Sequence, residues 1–201
     1  MRFITVTSTL AVTALAIAPS NQQSQPLNNP SLDGSWHRGP GRPDQISNWT
    51  STEYLLNYIS VLQTVNSYPH YYDLGNYQAV GNLYTSTGCA AFPIFNKTVC
   101  GPDAIAKFNA AGSKKQGAPN VTLPTQHSFT NPDIRFDADG RAYVAVYLNE
   151  AIYGQFQDGA VTQARGFYTM LLEKVSDGPY YPKLEWLISQ SEFRTFVSRV
   201  F

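Results

Sequence analysis

The stretch from His127 to Phe156, HSFTNPDIRFDADGRAYVAVYLNEAIYGQF, constrains the fold of this chain more than any other. Ile134 and Phe136 alternate with polar or charged neighbours, Asp137, Ala138, Asp139 and Gly140 carry turn chemistry, and residues 142–156 are rich in β-branched and aromatic side chains. The pattern predicts one long antiparallel hairpin. Strands of this length usually bend, and a bent sheet in a small domain wraps around either a helix or a pocket. His127 stands near one end of that sheet, which makes it the best single candidate for chemistry.

What the sheet can wrap around lies upstream. Thr50, Ser51, Thr52 and Glu53 fit a capping box, and Leu55, Leu56, Ile59, Leu62 and Val65 recur at helical spacing. A first helix is therefore expected over about 52–66, with Pro69 disturbing its end. Residues 76–84 read as a second short helix and 88–95 as a short strand. Gly101, Pro102 and Asp103 open a further helix, with Ala104, Ile105 and Phe108 on its apolar side. Residues 111–125, rich in Gly, Lys and Pro, read as a surface loop. After the hairpin, 161–175 alternates as a strand, 176–179 turns the chain, and 184–189 forms a last strand through Trp186 and Ile188. Helices first and antiparallel strands after predict an α+β domain.

The ends bear on compartment. A chain of 201 residues holds one such domain plus terminal segments. Residues 1–18 read as a secretory signal peptide, with Arg2, an apolar Thr- and Ala-rich run, and Ala16-Ile17-Ala18 as cleavage site. The run is too short for a membrane anchor. Residues 19–47, rich in Pro, Gly, Asn and Gln, read as an extended arm, which leaves 48–201 for the domain. Sequons at Asn48, Asn96 and Asn120 agree with a secreted glycoprotein. In an oxidising lumen Cys89 and Cys100, the two cysteines of the chain, are expected to form a disulfide.

Composition and motifs narrow the chemistry. A formal net charge of zero leaves no electrostatic footprint for nucleic acid or an anionic membrane. An aromatic share of 13%, with Tyr its largest part, suits a cavity for a mostly apolar, oxygenated small molecule. Arg135 interrupts the D-x-D-x-D-G pattern that Asp133, Asp137 and Asp139 suggest, so calcium is not expected. No His/Cys/carboxylate spacing suggests zinc, and neither G-x-S-x-G nor G-x-G-x-x-G occurs. A reaction without metal or cofactor remains.

The order of these elements, with Tyr-Asp before a short helix, a Gly-Pro-Asp-Ala-Ile helix, a His-led hairpin and a final W-x-I strand, resembles the SnoaL-like branch of the nuclear-transport-factor-2-like superfamily. The resemblance covers about residues 50–192. It implies a cone-shaped α+β barrel whose curved antiparallel sheet and helices enclose a pocket, and a homodimer formed through the sheet. Tyr71-Tyr72-Asp73 and Leu123-Pro124-Thr125-Gln126-His127 resemble segments of the scytalone dehydratases. That likeness implies Tyr72 orienting water or a carbonyl, Asp73 fixing the histidine or a polar substrate group, and His127 exchanging a proton. Those enzymes use a second histidine on the following strand, where this chain has Tyr147, Asn149, Ile152 and Tyr153. Tyr147, Asn149, Tyr153, Tyr168 and Phe92 are accordingly taken as substrate-binding residues able to contact or polarise a hydrophobic oxygenated substrate.

Related proteins in fungal natural-product pathways include dehydratases, isomerases, aldol-type cyclases and hetero-Diels-Alder pericyclases. The resemblance therefore implies a secreted enzyme of terpenoid or polyketide metabolism that dehydrates its substrate to a quinone methide, guides its cyclisation, or both. A binding module of the same shape without turnover, and a structural domain whose pocket is filled by side chains, are the other readings.

Overall fold

The computed structural model describes residues 49–115, 118–153, 161–175 and 185–200. The segments read as signal peptide and arm, and the sequon at Asn48, lie outside them.

Helix α1 (Ser51–Asp73) begins on the expected capping box. The Thr50 hydroxyl accepts from the Glu53 amide at 3.2 Å, and Glu53 Oε2 accepts from the Thr50 amide at 2.7 Å. The helix does not stop near residue 66 but continues through Pro69. A proline inside a helix forfeits one backbone hydrogen bond. Here the extra turn carries Tyr68 into the core and packs Tyr71 and Tyr72 against it.

The buried face of α1 is the expected one only in part, through Val65 and the partly buried Leu62. Asn57, Val61, Thr64, Val65 and Tyr68 are buried, whereas Leu55, Leu56 and Ile59 are 56%, 59% and 44% exposed. Its polar members are paired inside. Asn57 Oδ1 accepts from Lys174 Nζ at 2.9 Å and from Trp186 Nε1 at 3.3 Å, and the Thr64 hydroxyl donates to the Trp186 carbonyl at 2.8 Å. A hydrophobicity pattern cannot anticipate polar groups that satisfy each other in the core.

Helix α2 (Tyr77–Gly81) is shorter than expected, because Tyr84 already begins β1 (Tyr84–Phe92). A turn at Pro93–Phe95 leads to β2 (Lys97–Cys100), and then to α3 (Pro102–Gly112), with Pro102 at its first turn as expected. The stretch expected as loop holds a small sheet of β3 (Lys114–Lys115) and β4 (Ala118–Thr122). The hairpin is β5 (Thr125–Phe136) and β6 (Ala142–Tyr153), followed by β7 (Val161–Lys174) and a final β8 (Trp186–Val200) far longer than expected. Its turn is as expected: the Asp137 carboxylate accepts from the Asp139 and Arg141 amides, and Gly140 takes a φ of 76°.

These strands form one curved, unclosed sheet in the order β2-β1-β8-β7-β6-β5, antiparallel except for β1 against β8. Val144, Val146, Met170, Leu172, Trp186 and Ile188 of the sheet join Val61, Val65 and Tyr68 of α1 in the core. The result is the expected α+β cone, with the helices on the concave side.

Cys89 and Cys100 face each other across the β1–β2 pair, their Cα atoms 4.1 Å apart, and form the expected disulfide. Closing so short a loop removes entropy from the unfolded chain. Reduction is expected to lower the unfolding free energy by about 3 kcal/mol, read as a drop in the urea midpoint with and without a thiol reductant. An unchanged midpoint would mean that the β1–β2 ladder holds this edge unaided.

Candidate active site

Where the hairpin begins, β5 and β6 would ordinarily be in strict register, and the pairing of Phe136 with Ala142 would then set Ser128 opposite Glu150. A bulge changes that. Between the pairs Thr130–Tyr147 and Asp133–Ala145, the two residues Asn131 and Pro132 stand against Val146 alone, with Asn131 at a φ of 52°. Pro132, which cannot donate to a ladder, fits such a site. One extra residue reverses which face every earlier residue of β5 points to. His127 therefore pairs with Glu150 and faces the concave side, in phase with Val144, Val146 and Leu148.

The end of α1 meets it there. Asp73 Oδ1 lies 2.7 Å from His127 Nδ1, Asp73 Oδ2 accepts from the His127 amide at 2.8 Å, and the Thr125 hydroxyl donates to Oδ1 at 3.0 Å. On the other side His127 Nε2 lies 3.2 Å from Glu150 Oε1. One imidazole thus stands between two carboxylates. The His127 side chain is 5% exposed, against 27% for Asp73 and 14% for Glu150.

Burial disfavours the imidazolium, but the hydrogen bonds and charges of Asp73 and Glu150 outweigh it and raise the His127 pKa from 6.5 to about 9. At Asp73, burial likewise opposes ionisation. The hydrogen bonds from the His127 ring and amide and from Thr125 prevail, and hold its carboxyl below the ordinary range. His127 is therefore a positively charged donor at neutral pH, with both ring nitrogens protonated.

Aromatic rings wall this group. The Tyr72 ring lies 4.4 Å from that of His127, and Tyr68 stacks at 6.1 Å on Tyr72 and at 5.9 Å on Phe129. Burial first, and then the charge of Glu150, push the Tyr72 phenol well up, so it stays protonated as a hydrogen-bond donor. Tyr168 lies 5.1 Å from Tyr68. Its hydroxyl meets those of Tyr84 at 3.1 Å and Ser191 at 3.4 Å.

Of the residues singled out from the sequence, His127, Asp73 and Tyr72 come together, and Tyr168 lies on the same inner face. Tyr147, Asn149 and Tyr153 do not join them. They occupy the alternate positions of β6 and project from the convex face, where Tyr147 packs on Phe167 at 4.5 Å and Tyr153 donates to Gln126 at 3.1 Å. The expectation that they line a shared pocket with His127 is corrected by the pleat of the strand. Phe92, on β1, packs against Phe108 of α3 at 4.4 Å rather than joining the rings around His127. Asn96 is exposed at the turn before β2, and the side chain of Asn120 lies outside the described residues.

Glu150 escaped the sequence reading. A signal was present, since the apolar positions 142, 144, 146 and 148 predict an inward face whose next member is Glu150. A carboxylate in phase with the apolar positions of a strand calls for a buried partner.

The curved sheet, the helices on its concave side and an acid–base cluster at one end define a nuclear-transport-factor-2-like cone. Residues 53–191 match the SnoaL-like domain, and the chain belongs to that family. A candidate scytalone dehydratase from Novosphingobium aromaticivorans has a similar structure at 17% identity and a TM-score of 0.60, over 76% of this chain and 92% of that one. The hexachlorocyclohexane dehydrochlorinase LinA-type3 from Novosphingobium barchaimii gives 10% identity and 0.62, over 76% and 94%. Aln2 from a Streptomyces species gives 16% and 0.55, over 69% and 89%. No curated protein matches the sequence.

Proposed function

We propose that this protein is a cofactor-free acid–base enzyme of secondary metabolism. It acts on a hydrophobic, oxygenated terpenoid or polyketide intermediate, eliminates water to form a quinone methide, and holds that product for (hetero-)Diels-Alder cyclisation. One observation carries the reading: the buried His127 imidazole stands between the carboxylates of Asp73 and Glu150, which favour its charged form, and faces a wall of tyrosine and phenylalanine rings. An imidazolium can protonate a departing hydroxyl, which water alone does poorly near neutrality. The rings stack on a flat, apolar intermediate, and the Tyr72 phenol can polarise its carbonyl. A cycloaddition then needs chiefly that its partners be held in reacting geometry.

The cellular setting belongs to the same proposal. The leader-like residues 1–18 and the exposed sequon at Asn96 support a secreted glycoprotein. The aromatic convex face around Tyr147 and Phe167 supports a homodimer formed through the sheet. Among the described residues no helix is long and apolar enough to cross a membrane.

The test is to incubate the purified protein with 2-(1-hydroxyhexyl)phenol and dihydrofuran as trap, and to follow the chroman adduct by chiral chromatography. An enantiomerically enriched adduct formed faster than in buffer is expected. Racemic product at the buffer rate would sink the catalytic reading, and tight binding of the phenol in that case would leave a non-catalytic binding protein.

A further inference from the structure

Resting on that acid–base reading, we propose that Glu150 is the general base of the site, working with His127 as an acid–base couple on ortho-hydroxybenzyl alcohols. The geometry assigns the two roles. His127 has its Nδ1 and its amide committed to Asp73, so Nε2, which meets Glu150, is the ring nitrogen left to act on a substrate. Glu150 offers Oε1 to that Nε2 at 3.2 Å, and among the described residues it makes no other hydrogen bond. Both groups project from the concave face, beside Tyr72 and in line with Phe129 and Leu148.

An acid and a base this close can serve only a substrate whose proton donor and leaving group are themselves neighbours. A phenol bearing a hydroxyalkyl group at the ortho carbon is such a substrate, with two oxygens within hydrogen-bond reach of one another. In the para isomer the ring separates them, and no single pose engages both groups.

The step balances within the site. The Glu150 carboxylate takes the phenolic proton, the oxygen's electron pair forms the carbonyl of the quinone methide, and the shifted ring electrons expel the benzylic hydroxyl. That hydroxyl leaves as water with the proton from His127 Nε2. Glu150 is then protonated and His127 neutral, in direct contact. The proton crosses from Glu150 to Nε2 and restores the starting state, so the cycle closes without a proton from solvent. The dehydratases that this chain resembles use a second histidine on the following strand; here that strand sets the Glu150 carboxylate directly across from His127.

The experiment is oxygen exchange in heavy-oxygen water. Reversible dehydration of 2-(1-hydroxyhexyl)phenol labels its benzylic hydroxyl, and mass spectrometry reads the rate. Wild-type protein is expected to exchange the ortho compound and leave the para isomer at the buffer rate. Glu150→Gln is expected to slow exchange by about 100-fold or more, and Glu150→Asp to retain part of the rate. Nitrogen NMR of His127 in Glu150→Gln, still showing Nδ1 protonated toward Asp73, verifies that the variant keeps the site intact. Wild-type exchange matched by Glu150→Gln would refute the base assignment and leave the acid–base reading standing. Equal exchange of the para isomer would refute the substrate class. No wild-type exchange above buffer would overturn this proposal together with the reading it rests on.

Discussion

Replacing His127 by glutamine is expected to reduce dehydration of an ortho-hydroxybenzyl alcohol by about 100- to 10,000-fold, the range that removal of a positioned acid or base commonly produces. Glutamine can still donate a hydrogen bond toward a carboxylate, but it cannot deliver a proton. The wild-type rate should fall as pH rises through about 9, where the imidazolium is lost. If His127→Gln retains the wild-type rate and pH profile, His127 plays no part in the chemistry and the site has been misread.

The same substitution has a stability signature with a definite sign. The pKa of His127 is raised on folding, so its contribution is fully present below its ordinary value of 6.5 and is lost as pH climbs to about 9. That of Asp73 is lowered, so its contribution is present above its ordinary value of 3.8 and is lost as pH falls. Wild type should therefore exceed His127→Gln by the widest margin between those two ordinary values, by about 3 kcal/mol. The margin should shrink in alkali. Urea unfolding at mildly acidic and at alkaline pH measures both ends, and a margin that widens in alkali would contradict the ion-pair account.

Trp186→Ala should have the largest effect on stability, a loss of about 3–5 kcal/mol. Trp186 is wholly buried where β8 begins, its ring 5.6 Å from Phe136 and 6.4 Å from Trp49. Its indole N–H donates to Asn57, and removing it takes one donor from a buried amide oxygen that Lys174 still meets. Trp186→Phe keeps most of the volume and should lose much less. Denaturant midpoints of the two variants decide it. Equal losses would show that the cost comes from the hydrogen bond rather than the cavity.

Much of the local structure was legible because its signals act over a few residues. The capping box at Thr50 and Glu53, the proline-led α3, the Asp137–Gly140 turn and the alternation of β6 each depend on near neighbours in the chain. The misreadings came where distant partners decide. Leu55 and Ile59 looked like a core stripe, but the helix buries Asn57 and Thr64 because Trp186 and Lys174, more than a hundred residues later, satisfy them. Tyr147, Asn149 and Tyr153 looked like pocket residues by chemical type, yet the alternation already visible in β6 assigns the inward face to Glu150 instead.

By itself, the sequence determined that this chain makes helices followed by a long antiparallel hairpin, that it pairs its two cysteines, and that His127 and Asp73 deserve weight. The tertiary structure decided that they meet. A bulge of one residue at Asn131 and Pro132 turns His127 to the inside, and an extra turn past Pro69 brings Asp73 to it. Both choices are steered by contacts across the fold. Facing and register depend on what lies opposite, and the residue lying opposite His127, Glu150, is twenty-three positions further along the chain.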